Sequence, residues 1–159
     1  MSTPASGTVS TIHIAPEASA TTESHETVEA VAGRGLRGDR YFAEQGTYSR
    51  SARGTSREIT LIEAETLAAL ERDFSIEIPP GAHRRNVTTR GVALNHLVDE
   101  RFSVGEVVCE GVELCEPCSY LEGLLDIDGL HDALVHRGGL RARIVDSGRI
   151  AVGDGVTPR

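Results

Sequence analysis

Short runs of β-branched residues, cut at intervals by glycine, set the pattern of this chain. Val9, Ile12 and Ile14 alternate with threonine and serine over residues 8–14, which predicts a first strand. The polar stretch 17–24 reads as a turn, and residues 26–31 predict a second strand. Residues 58–62 predict a third. Residues 62–73 then form the best helical pattern in the chain, with Leu67, Ala68 and Leu70 as the apolar stripe and Glu63, Glu65, Glu71 and Arg72 outside it. Pro79-Pro80-Gly81 ends whatever follows that helix.

The second half keeps the strand rhythm. Residues 83–90 predict a strand, 94–98 a helical turn, and 102–104, 106–109 and 112–114 three short strands divided at Gly105 and Gly111. That spacing is the spacing of an antiparallel meander or barrel. Residues 120–125 and 129–135 read as short helices. Residues 140–145 and 149–152, joined around Ser147-Gly148, predict a hairpin. Residues 1–7 are small and polar and read as a flexible tail, which leaves 8–159 as a single domain. The 14-residue stretch 44–57, rich in Ser, Thr, Gly and Arg, reads as a long mobile loop of the kind that serves as a lid.

Composition supports the strand-rich reading. The chain of 159 residues carries 17 glycines, 39% hydrophobic residues, 4% aromatic residues and no Trp, so a core must be built from Val, Ile, Leu and Ala. The formal net charge is −8, which argues against general binding to nucleic acid or to an anionic membrane. All 16 basic residues are Arg, and the absence of Lys excludes an internal Schiff base, including a pyridoxal phosphate aldimine. The opening residues have neither a basic segment nor a long apolar run, so the expectation is a soluble cytoplasmic protein.

Candidate chemistry falls in three places. The stretch 114–125, LCEPCSYLEGLL, sets Cys115 and Cys118 three positions apart, with Pro117 before the second. A thiol opening a helix meets unpaired backbone N–H groups that favour thiolate, the form that attacks or binds a metal. Two inert core cysteines are the alternative. Residues 33–40 space three glycines among Arg34, Arg37 and Arg40, a loop that a ligand can approach closely or simply a tight connection with solvated arginines. His83 to Arg90, HRRNVTTR, offers Arg84, Arg85, Asn86 and Thr88, a set suited to a phosphate, against the alternative of a solvated charged face.

The spacing of Cys115, Cys118, His131 and His136 fits C-x2-C-x12-H-x4-H, that of a zinc finger. The finger itself is rejected, because Glu122 and Asp128 stand where its aromatic and leucine core residues belong. A zinc site in another fold stays open. A thioredoxin-like pair is disfavoured, since the C-x-x-C comes late in a strand-rich chain with no long helix after it.

Taken in order, G-L-R-G-D-R-Y, T-L-I-E-A-E, R-N-V-T-T-R-G-V-x-L, F-S-V-G, L-C-E-P-C, H-R-G-G and G-R-I-x-V-G-D resemble the MOSC domain, named for the C-terminal domain of molybdenum cofactor sulfurases, in its small stand-alone prokaryotic form. The resemblance implies a mainly β fold, an antiparallel β-barrel-like domain with a few short helices. It implies the molybdenum cofactor, with its molybdopterin, and one cysteine that ligates molybdenum or carries persulfide sulfur. By motif position that cysteine is Cys118, as catalytic residue and metal ligand. Arg85, Asn86 and Thr88 fall near the family's pterin phosphate, with Arg84 beside them as a further cofactor-binding candidate from the basic cluster, and Arg37, Asp39 and Arg40 fall in its glycine loop. A small oxidoreductase acting on N-hydroxylated compounds and a sulfur-transfer module are both implied, with a small-molecule substrate and an electron-donor or sulfur-donor protein as partner. A non-catalytic cofactor or sulfur carrier and a structural zinc protein are the alternatives. The larger reductases of the family have an additional N-terminal barrel region that this chain has no room for.

Overall fold

A computed structural model describes residues 7–16, 22–39, 58–79, 81–115, 129–134 and 136–159. The eleven strands among them are β1 (Gly7–Ile14), β2 (Glu23–His25), β3 (Thr27–Val31), β4 (Gly35–Leu36), β5 (Ile59–Glu63), β6 (Val87–Arg90), β7 (Arg101–Val104), β8 (Val107–Leu114), β9 (Leu140–Asp146), β10 (Gly148–Ala151) and β11 (Gly155–Pro158). Helix α1 spans Ala64–Phe74 and α2 spans Leu130–Ala133. A 3-10 turn, Leu94–Leu97, sits where a helical turn was expected.

Seven strands close a barrel in the order β1-β6-β5-β9-β8-β7-β11, and β11 returns to β1 through Gly7 opposite Val156. All neighbours are antiparallel except β5 and β6, whose connection runs through α1. The alternation read from the sequence explains the closure. Val9, Ile12 and Ile14 point into one core with Leu61, Val87 and Phe102, while the residues between them face outward. β2 extends the sheet from β1 beyond the closure, with His25 opposite Ile12. A second, three-stranded sheet is ordered β10-β3-β4.

Several local expectations change under tertiary pairing. Residues 140–152 do not form a hairpin: β9 pairs with β8 and β5 on its two edges, whereas β10 pairs with β3, Ile150 opposite Val28. Both edges of β9 are already occupied, so the chain turns at Ser147 into the other sheet, where the Ser147 hydroxyl accepts the Ala32 N–H at 2.8 Å. Gly111 does not divide two strands either. β8 runs through it, and the ladder to β9 shifts register there. Part of the stretch read as a turn is strand β2, because β1 offers it an open edge.

Helix α1 begins and ends slightly later than its pattern suggested and buries Ala64, Thr66, Ala69 and Leu70, so Ala69 takes the place expected of Ala68, which is exposed. It stops at Ser75, whose left-handed backbone lets its N–H reach the Glu71 carbonyl at 3.1 Å. Leu70 and Ile76 pack with Leu130 and Ala133 of α2 and with Leu134 just after it in a second apolar cluster separate from the barrel core. The predicted loop at 44–57 and helix at 120–125 lie outside the described residues. No helix among the described residues is long and apolar enough to cross a membrane.

Candidate functional site at the barrel end and in the neighbouring cleft

At one end of the barrel the C-terminal ends of β1 and β8 meet the N-terminal ends of β6 and β9. Arg85 holds this end together. Its Nε donates to the Gly138 carbonyl at 2.8 Å, Nη1 to the His83 carbonyl at 2.9 Å and Nη2 to the Cys115 carbonyl at 3.4 Å. The Cys115 N–H in turn donates to Gly139 at 2.7 Å. The two glycines are required by this packing. A Cβ on Gly138 would lie 2.1 Å from the Cys115 carbonyl oxygen, and one on Gly139, at φ 114°, would lie 2.2 Å from that of Leu61.

Asn86 is the second brace. It is 1% exposed, its Oδ1 accepts from the Thr60 N–H and hydroxyl at 3.0 and 3.1 Å, and its Nδ2 donates to the His13 carbonyl at 3.1 Å. These bonds tie β5, β6 and β1 together, and a ligand could reach the Asn86 amide only by displacing them. Asp39 plays a similar part. Buried like Asn86, it accepts the Ala15 N–H at 2.9 Å and so fixes the glycine loop to the end of β1. Arg37 lies on the surface, its Nε 2.9 Å from Glu29 Oε2 on β3. Arg84 is half-buried and left-handed at φ 67°, so the predicted strand 83–90 begins only at Val87. The turn comes from the Arg84 N–H donating to Gly81 and the Arg85 N–H donating to His83 Nδ1.

Cys115 is buried, and the Arg141 guanidinium lies against its thiol and pairs with Glu113 at 3.3 Å. Cys109 is a core residue of β8; burial, with Glu58 nearby, pushes its thiol up to about 12. Cys118 and Arg40 lie outside the described residues, as does the side chain of His131. No group of three or more metal-ligating side chains is assembled among the described residues.

Thr88 points away from this end. With Thr11 and His13 of β1 and with His83 it floors a cleft of about 420 Å³ between the barrel wall and α1. Its hydroxyl is 3.4 Å from His83 Nε2. Because His83 Nδ1 accepts the Arg85 N–H, the His83 proton sits on Nε2 and faces that hydroxyl. Burial, then the Arg85 charge, then His13 push His83 down to about 3, so its ring is neutral near pH 7. His13 is held below its ordinary value by burial and by His25. The two rings meet edge to face, centroids 6.1 Å apart.

The sequence singled out Asp39, Arg84, Arg85, Asn86, Thr88 and Cys115, which gather here or beside it, and overlooked His13, Gly81 and Arg141. A signal for His13 was present: it stands between Ile12 and Ile14 in an alternating strand, hence on the face opposite the barrel core.

The MOSC domain model matches residues 48–157. The fold is similar to the YuaD protein from Bacillus subtilis, with a TM-score of 0.76 and 18% identity over 95% of this chain and 94% of that one. It is also similar to YiiM from Geobacillus stearothermophilus, with 0.74 and 14% over 96% and 75%, and to YiiM from Escherichia coli, with 0.68 and 15% over 96% and 69%. No curated protein matches the sequence.

Proposed function

Because the chain belongs to the MOSC domain family, we propose that it binds the molybdenum cofactor at the barrel end and uses Cys118 there, either as a small oxidoreductase that reduces N-hydroxylated compounds or as a sulfur-transfer module. The observation that carries this reading is the state of Arg85. Among the described residues its three hydrogen-bond acceptors are uncharged backbone carbonyls, one of them on Cys115, and no described carboxylate pairs with it, so its positive charge is fixed in place. An anionic group is favoured beside such a cation. The barrel end therefore fits the phosphate of a pterin cofactor. Arg84 and Arg85 would supply the field, and Asn86 and Asp39 would hold the frame. Thr88 belongs to the neighbouring cleft.

When bound, the cofactor would supply a redox-active metal with sulfur donors, for which a soft thiolate is a suitable additional ligand. Cys118 is three residues beyond Cys115, whose carbonyl and N–H are both fixed to the barrel. Cys115 is buried against Arg141 and is suited to a supporting part. An electron-donor or sulfur-donor protein completes either reaction.

The test is molybdenum, pterin and labile-sulfur content after reconstitution. Cys118→Ser should be empty of metal or persulfide yet folded, and Cys115→Ser should be milder. Wild-type content in Cys118→Ser with an empty Cys115→Ser would overturn the assignment.

A further inference from the structure

The cleft beside α1 has the features of a binding site of its own. Its floor is polar: Nδ1 of His13, in a side chain only 5% exposed, is buried and has no hydrogen-bond partner among the described residues. Native proteins rarely leave such an atom unsatisfied, so its presence in a concave site points to a group that arrives from outside. Next to it the Thr88 hydroxyl receives the His83 Nε2–H and keeps its own proton to give. The His13 nitrogen donates or accepts according to the tautomer of its ring and the Thr88 hydroxyl donates, so the floor offers two polar groups to a molecule that carries both a donor and an acceptor. Leu67, Ala68 and Ile78 make an apolar wall.

Charge decides what kind of molecule fits. Among the described residues the floor holds no carboxylate and no guanidinium, and His83 is neutral near pH 7. The charged residues that line the cleft, Glu71, Glu77 and Arg90, are exposed and of mixed sign. An ion brought to the floor would lose its water without gaining a counter-charge. An uncharged group loses far less and can pair with both polar atoms.

We propose that this cleft binds an uncharged, flat molecule whose polar edge carries a hydrogen-bond donor and acceptor side by side, a primary amide or lactam on an apolar ring. The polar edge meets His13 Nδ1 and Thr88 Oγ1, and the ring lies along Leu67 and Ala68. The site is separate from the barrel end, where Arg85 favours an anion, and the proposal does not depend on the cofactor.

Three probes of nearly equal shape test it: benzamide, benzoate and benzamidinium. Each is titrated into the protein while the histidine ring nitrogens are followed by NMR. Benzamide should shift the His13 and His83 signals saturably, and the two ions should bind at least about tenfold more weakly. Ala68→Trp, made at an exposed helical position, should fill the cleft and cut benzamide binding at least about tenfold with the barrel amide signals unchanged. His13→Phe should do the same, and if that variant fails to fold the Ala68→Trp result decides. Equal binding of the three probes, unaltered benzamide binding in Ala68→Trp, or no benzamide binding at all would overturn the proposal.

Discussion

The barrel end and the cleft share the segment from His83 to Thr88 yet use it in opposite ways. At the barrel end the charged and amide side chains are committed to backbone: Arg85 to three carbonyls, Asn86 to His13 and Thr60, Asp39 to Ala15. On the floor of the cleft the side chains are neutral and one buried nitrogen is left over. The difference separates charge from hydrogen-bonding capacity. Arg85 keeps its charge after giving its N–H groups to the frame and can still attract an anion, whereas His13 has no charge to offer and recognises by hydrogen bonding alone. One residue type that looks like a ligand group in sequence is therefore also a structural clamp, and a histidine buried in a strand is a recognition group.

The largest effect is expected at the clamp. Arg85→Leu removes charge-assisted bonds to Gly138, His83 and Cys115 together, and each such bond contributes about 1.5–3 kcal/mol, so the loss of stability should reach roughly 4 kcal/mol in urea unfolding. A change below about 1 kcal/mol would make Arg85 a solvated surface charge after all. The next effect belongs to the cleft and is read through pH. The folded His83 pKa of about 3 lies below its ordinary 6.5, so the unfolded chain takes up a proton that the folded protein refuses. Its contribution to stability is complete above about pH 6.5 and is lost as the pH falls toward 3. Two pH units into that window the loss should be roughly 2–3 kcal/mol, with His13 acting in the same direction. His83→Gln should flatten this slope, as measured by unfolding at a series of pH values; an unchanged slope would assign the acid sensitivity elsewhere. The smallest effect is at the surface. Arg37→Ala breaks an exposed pair with Glu29 and should cost less than about 1 kcal/mol, in contrast to Arg85. A larger loss would move the glycine loop into the frame.

Alternation of small apolar and polar residues, read with the glycine punctuation, was enough to place β1, β5, α1, β7 and β9, since each of these follows from which side of the chain must be kept from water. The motif order gave the barrel fold and the family, and the position of Arg85 and Asn86 near the start of β6 was legible as well. What those residues do with their atoms was not. Whether Arg85 faces a ligand or three carbonyls depends on Gly138 and Cys115, which lie 53 and 30 residues away along the chain and arrive only when β8 and β9 pair. The same holds for β10, whose sequence suits a hairpin with β9 but which finds both edges of β9 taken. His13 became a cleft residue only because α1 and the barrel wall bound a common space in front of it. Local pattern fixes which face of an element is apolar; pairing, edge availability and the meeting of distant turns are set by closing the barrel, and the functional geometry of this protein lies at those meetings.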